Sequence, residues 1–544
     1  MERLSLEDKV GLLSGQDKWS LPAVPAIGLE SIVMSDGPTG VKCDGSLPIR
    51  SVMTPCGTAL AASWNTDLVE AIGALLGETA RANGVHVLLA PGTNIVRSPL
   101  GGRNFEYYSE DPLLAGKVTC AYVRGVQSAS VAATVKHFVC NEAETHRLDG
   151  NVVVNEQPLR EIYLLPFELA VREANAWAIM CSYNRLRGTY MSAHPILDDM
   201  LRSEWGFDGV VVSDWGAVHD TVGPGINGLD IEMPGPPKFW GDELIAAVRS
   251  GEVQEAHIDE KVLRILRLGR RTGALGGTRA EPDPRRDGSD ASSLVRKAAV
   301  ESFVLLRNEN ELLPLSSPSR IAVLGHHAAH PALQGGGSSN VGPSFGTSPL
   351  EGILRLVGET AEVVHEPGYV PALMPRLDLS WVTALDGTEG FTVEFFDAHD
   401  QFGAIRSETQ RRNFFIWDKT VDGRPLHDLR VRLSATLIPP VDGEYVFGVD
   451  CSGAGTVRID GNEVLTLAPE HDLDWSALFR VNPRGLGRVT LEGGQPVDFK
   501  LEFRAQPDSQ GGEIGLITLR AFRPPLPTCT SAPFRLRPTR TWPS

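Results

Sequence analysis

The sequence predicts an α/β protein: a (β/α)8-type barrel, then a partial α/β sandwich layer interrupted by an antiparallel β-sandwich module. Three observations carry this. Over the first 270 residues, short apolar runs alternate with stretches of helical period, the pattern of a parallel sheet covered by helices. That region has the length of one barrel of about 250 residues. From about residue 385 the period changes to alternation of apolar and polar residues, the mark of half-buried antiparallel strands.

In residues 1–272, Ser5 reads as the N-cap of a first helix, with Asp8 three residues later and Leu6, Val10 and Leu13 on one face. Strands are expected at 31–36, 85–91, 132–138, 177–183, 210–214 and 229–233. Thr66 is expected to cap a helix over 67–83 that Gly84 ends. Asp111-Pro112 opens another over 112–127, with proline at its first position. Further helices are expected at 157–174, 195–204, 242–250 and 256–270. The run Val210-Val211-Val212 is the clearest strand, because it is short, β-branched and bounded by turn residues.

Residues 273–293, rich in Gly, Pro and charge, read as a linker. The partial α/β layer spans 294–384, with a helix at 294–308, a strand at 320–325, a helix near 349–356 and a strand at 361–366. The β-sandwich module spans 385–523, with turns at Asp442-Gly443 and Asp460-Gly461. Residues 524–544 carry no acidic residue and no period, and read as a disordered tail.

Composition excludes several classes. Hydrophobic content of 42% and charged content of 22% are those of an ordinary globular protein. A net charge of −17 argues against a nucleic-acid partner and against an anionic membrane surface. No apolar run approaches the ~18 residues of a membrane span. The seven cysteines form no CxxC pair, and the first residues have no apolar signal-peptide core, so a reducing cytoplasm is expected. His326, His327 and His330 lack matching carboxylates and read as loop histidines, not a metal site. LGGR and GGGSS lack the spacing of phosphate-binding loops.

The chemistry gathers where strands end. Asp36 closes the first strand; Arg97, Arg103 and Glu106 follow the second; Lys136 and His137 close the third. Glu142 and Arg147 come next, then Tyr183, then Asp214 and Trp215. Barrel enzymes build their sites at C-terminal strand ends. Carboxylates, cations, hydroxyls and an indole together suit a sugar, with polar partners for its hydroxyls and an aromatic wall for its C–H face. Each residue also has a plainer reading. Asp214 can be a helix N-cap, Lys136 a surface lysine, His137 a core histidine, and Arg103 and Arg147 salt-bridge partners. Lys136 is also placed as a Schiff-base lysine would be.

The motifs SDGPTGVK, NIVRSPLGGRNFEYYSEDP, ATVKHFVCNEAETHR, LREIYLLPFELAV, SYNRLRG, LRSEWGFDGVVVSDW and GLDIEMPG occur in the order seen in family 3 glycoside hydrolases. The chain resembles their β-glucosidase branch from about residue 5 to about residue 365. The resemblance implies Asp214 as catalytic nucleophile and Asp36, Arg103, Lys136, His137, Arg147 and Tyr183 as sugar-binding residues, with Trp215 beside them. It demotes the Schiff-base reading. It implies hydrolysis of terminal β-D-glucosyl residues by a retaining mechanism, on small β-glucosides or oligosaccharides, with no metal or organic cofactor. The loop VCNEAETHR differs from that of the family's N-acetylglucosaminidases. The sandwich module resembles the protective-antigen-type insert of some β-glucosidases. The family's acid/base glutamate follows that insert and has no counterpart here. The chain therefore reads as truncated, with impaired hydrolysis expected and a catalytically silent sugar-binding remnant as the alternative. The unpaired sheet edge of the partial layer leads us to expect self-association.

Overall fold

A computed structural model describes residues 3–42, 51–276, 289–316, 318–333, 335, 337–339, 341, 346–368, 377–399, 403–417, 420–451, 453–468, 485–505 and 515–522. Most of the expected linker and all of the expected tail, as well as Gly336 of the GGGSS run, lie outside them. The chain divides into two compact units, Met1–Glu366 and Pro367–Ser544.

In the first unit a sheet of six strands runs in the order β1 (Ser20–Leu21), β2 (Ile32–Asp36), β3 (Val87–Leu89), β4 (Ala132–Phe138), β5 (Ala178–Cys181) and β6 (Val210–Ser213). The last five are parallel, whereas β1 pairs antiparallel with β2. All seven residues of β4 and all four of β5 and β6 are buried, as in a sheet covered on both faces.

This is a mixed α/β fold with a half-barrel wall. The strand expected at 229–233 contributes only single bridges, Ile231 to Val212 and Glu232 to Ser14. Its Asp230 is fully buried and accepts the backbone N–H of Val211 at 2.7 Å. Arg202 and Arg264 close on the same carboxylate. A side chain thus takes a place that a ladder bond would fill.

Helices cover the sheet largely where their capping residues stand. Ser5 and Asp8 form the reciprocal capping box of Leu6–Gly11 (α1). Asn65, one residue earlier than expected, caps Thr66–Ala82 (α2), and Asp111 caps Pro112–Ser128 (α3). The segments 159–164 and 197–204 are wound as π-helix. In the following layer, the helix Ser289–Glu301 stops well short of Asn308. Phe303, Val304, Leu305 and Leu306 form an unbroken apolar run, which no single helical face can bury. Strands β7 (Arg320–Leu324) and β8 (Glu362–Glu366) make a parallel two-stranded sheet.

The second unit is antiparallel. One sheet has seven strands and another has four, and the two share an apolar core that includes Phe391, Phe415, Phe447, Phe499 and Phe503. The turn at Asp460-Gly461, both with positive φ, joins Gly453–Ile459 to Asn462–Leu467.

Candidate active site

Strands β2 to β6 are parallel, so their C-terminal ends lie along one edge of the sheet. Asp36 ends β2, Lys136 and His137 lie in the last three residues of β4, Tyr183 is two past β5 and Asp214 follows β6 directly. Arg103 and Arg147 come from the loops after β3 and β4.

Distances tie these residues into one group. Lys136 Nζ is 4.0 Å from Asp36 Oδ1, and Lys42 Nζ is 3.5 Å from Asp36 Oδ2. His137 Nε2 is 3.8 Å from Asp214 Oδ2. The Arg147 guanidinium lies 5.0 Å from the centre of the Tyr183 ring and pairs with Glu144 at 2.9 Å. The Tyr183 hydroxyl donates to the carbonyl of Trp215 at 3.1 Å. Arg103 pairs with Glu106 and feels the charge of Asp214. The Trp215 indole N–H donates to the Lys18 carbonyl at 2.9 Å, and its ring sits 5.4 Å from Trp19. Every residue singled out above for sugar chemistry belongs to this group. Of the other polar residues noted after the strands, Arg97 instead hydrogen-bonds Tyr163 and lies over its ring.

The electrostatics follow from burial among cations. His137 is almost fully buried; that burial, then Arg103, Lys136 and Arg147, holds its pKa well below the usual histidine range. It is therefore neutral. Burial, and then the charge of Asp214, pushes the Tyr183 phenol well up. Burial opposes the charge of Arg103, but Glu106 and its other anionic neighbours outweigh it, and its pKa rises. Asp214 Oδ1 accepts the N–H of Trp215 at 2.8 Å. Its Oδ2 is buried and has no hydrogen-bond partner among the described residues. A buried carboxylate oxygen left unmatched is costly and calls for a partner.

One residue was not singled out in the sequence, although it opens the motif NIVRSPLGGRNFEYYSEDP. Asn94 is a neutral amide, in the loop after β3, yet it is buried against His137. Its Oδ1 accepts the backbone N–H of His137 at 2.7 Å and lies 3.1 Å from the ring Nδ1. Its Nδ2 donates to the His137 carbonyl at 3.0 Å and to Glu142 Oε1 at 3.4 Å. The parallel bridge of Gly92 to Lys136 sets this register. Burial pushes the Glu142 carboxyl up to about 7.

Two other features stand apart. A cavity of about 450 Å³, lined by Asn175, Trp205 and Asp208 among others, lies before the N-terminal ends of β5 and β6 and contains none of the site residues. His326 stacks on His330 at 4.9 Å, and among the described residues no three metal-ligating side chains are grouped to hold an ion.

Comparison with known proteins finds relatives that align with most of the chain. A β-glucosidase of Rhizobium radiobacter is 40% identical over 472 residues, covering 86% of this chain and 56% of that protein. A probable β-glucosidase I of Aspergillus flavus is 35% identical over 533 residues, covering 95% of this chain and 62% of that protein. The crystal structure of a Kluyveromyces marxianus β-glucosidase in complex with glucose superposes with a TM-score of 0.83 at 30% identity, covering 96% of this chain and 64% of that one. The chain thus spans less than two thirds of the length of each of these relatives. The model of the glycosyl hydrolase family 3 N-terminal domain matches residues 42–268, and that of the family's C-terminal domain matches residues 303–469. Matched along most of its length by these two models, the chain belongs to glycosyl hydrolase family 3.

Proposed function

We propose that this protein is a retaining β-glucosidase that removes terminal non-reducing β-D-glucosyl residues, with Asp214 as its nucleophile. The observation that carries this reading is the orphaned Oδ2 of Asp214, buried beside the neutral His137 at a strand end lined by cations. Its half-barrel wall corresponds, on this reading, to the family's (β/α)8-type barrel, and the second unit to a protective-antigen-type insert. The glucose complex of the Kluyveromyces marxianus relative supports glucose as the bound sugar.

In the first half of the reaction, Asp214 Oδ2 bonds to the anomeric carbon while the glycosidic C–O bond breaks. The leaving oxygen departs with the bonding pair and takes a proton from an acid, or leaves as a stable phenolate. In the second half, water attacks the same carbon as the bond to Asp214 Oδ2 breaks and its electron pair returns to the carboxylate; the water loses its proton to a base and glucose is released. Asp36, Lys136 and His137 hold hydroxyls and so orient the ring. Arg103, Lys136 and Arg147 surround the neighbouring His137 with positive charge. A retaining enzyme places its acid/base carboxyl about 5–5.5 Å from the nucleophile. We infer that residues 1–544 do not carry the family's acid/base glutamate, and hydrolysis by them is therefore proposed to depend on the leaving group. Lost acid/base help costs roughly 10²–10⁴ in rate.

The test uses residues 1–544 with a dinitrophenyl glucoside, cellobiose and a fluoroglucoside inactivator. A burst that stalls, restarts with azide and leaves the label on Asp214 is expected, with nearly inert cellobiose and no label in Asp214→Ala. A label on another residue refutes the nucleophile. Fast cellobiose hydrolysis refutes the missing acid and points to a carboxyl such as Glu106 or Glu142. Glucose binding without burst or label identifies a silent sugar-binding remnant.

A further inference from the structure

The hydrogen bonds around Asn94 determine more than a packing contact. The backbone N–H of His137 can only donate, so the Asn94 atom 2.7 Å away is the amide oxygen. The carbonyl of His137 can only accept, so the atom 3.0 Å from it is the amide nitrogen. Two backbone groups of one residue thus orient the amide without appeal to the imidazole. The ring Nδ1 then faces an acceptor at 3.1 Å and must carry the proton. With one proton on the ring, Nε2 has a lone pair.

That lone pair points into the site. Nε2 lies 3.8 Å from Asp214 Oδ2, beyond hydrogen-bond reach, and both atoms are acceptors. A charged imidazole at this distance would pair with Asp214 and occupy the oxygen needed for attack. A neutral amide at position 94 avoids this, because it accepts the Nδ1 proton without adding the negative charge that would draw a second proton onto the ring.

We propose that Asn94 is a positioning residue that holds His137 as the neutral Nδ1–H tautomer, so that Nε2 accepts from a hydroxyl of the bound sugar and Asp214 stays out of an ion pair. The sugar contact rests on the β-glucosidase reading; the tautomer does not. The charged and titratable groups that face the ring are Arg103, Lys136 and Arg147, the carboxylate of Asp214, Glu142 through Asn94, and the edge of Tyr107 at 6.3 Å. The three cations all oppose protonation. A carboxylate at position 94 is the single change that would oppose them from the Nδ1 side.

The experiment is nitrogen NMR of the full chain carrying labelled histidine, with His137→Gln identifying the signal. A protonated Nδ1 and a bare Nε2 near neutral pH are expected in the wild type. A proton on Nε2, or a charged ring, overturns the proposal. The second measurement compares fluoroglucoside labelling of Asp214 in the wild type and in Asn94→Asp across pH. In the variant the ring should titrate at a higher pH, and labelling should fall roughly tenfold per pH unit below that point and recover above it. A variant whose ring stays neutral and whose labelling profile matches the wild type overturns the proposal. If Asn94→Asp does not fold, the wild-type spectrum decides alone. If the wild type takes no label at any pH, the glucosidase reading fails, and the spectrum still decides what Asn94 does to His137.

Discussion

Glu142 shows how far a single residue's environment can be read in solution. Burial pushes its carboxyl from 4.5 up to about 7, against the pull of the Asn94 amide. A folded-state pKa raised above the unfolded one means that the folded chain holds the proton longer. The stabilising effect is full below about pH 4.5 and is lost as the pH rises towards about 7. A rise of this size corresponds to roughly 3 kcal/mol. Glu142→Gln keeps the size and removes the ionisation. Urea midpoints between about pH 5 and about pH 8 should fall more steeply for the wild type than for the variant; equal slopes would show that Glu142 titrates as an ordinary carboxyl. Among the site residues, Asp36, Lys136, His137 and Asp214 were legible because each stands at the end of an apolar strand run. Asn94 was not, because an uncharged amide acquires its role only from the two backbone groups and the ring that meet it.

Elements were legible where local chemistry decides them and less so where packing does. The helix α3 illustrates the second case. A Cβ built on its Gly125 would sit 2.1 Å from the carbonyl oxygen of Glu70 and 2.7 Å from the backbone nitrogen of Ala74, both on α2. Gly73 and Gly77 of α2 come as near to the carbonyls of Tyr122 and Val126. The helices touch backbone to backbone, so neither can yield as a side chain would. Gly125→Ala gains up to about 1 kcal/mol in helix propensity but should lose more through overpacking, which costs about 1–3 kcal/mol. Gly11 of α1 has nothing within 4 Å of its Cβ position and serves as the control. Denaturation should show Gly125→Ala less stable and Gly11→Ala slightly more stable than the wild type. A stabilised Gly125→Ala would mean that the helices separate freely. Strands β2 to β6 were each visible as apolar runs because parallel strands are covered on both faces. LDIEM failed as a strand because the Asp230 carboxylate, paired with two arginines, intrudes on the ladder.

At the scale of the whole molecule, the first unit ends in an incompletely covered layer. Strands β7 and β8 form a parallel pair, an arrangement normally covered on both faces, yet Leu324 is exposed. Phe303, Leu305, Leu306 and Leu356 are exposed as well. Apolar surface of this kind favours association. The net charge of −17 opposes it at low salt, where repulsion is unscreened. Light scattering of residues 1–544 should therefore show growth with protein concentration that strengthens as salt is added, and Leu306→Lys should weaken it. A salt-independent monomer would remove the expectation of self-association.

By itself the sequence determined the α/β class, the parallel strands, most helix starts and the polar residues at the strand ends, because burial pattern, capping and turn chemistry are local and periodic. Only the tertiary structure decided that β1 runs antiparallel, that residues 229–233 bridge instead of forming a strand, and that the helix after Ser289 stops at Glu301. It alone decided that Asn94 reaches His137 across 43 positions and that one oxygen of Asp214 is left unmatched. Those outcomes depend on which distant groups satisfy a buried donor or acceptor, and hydrogen-bond partners across strands leave no periodic trace along the chain.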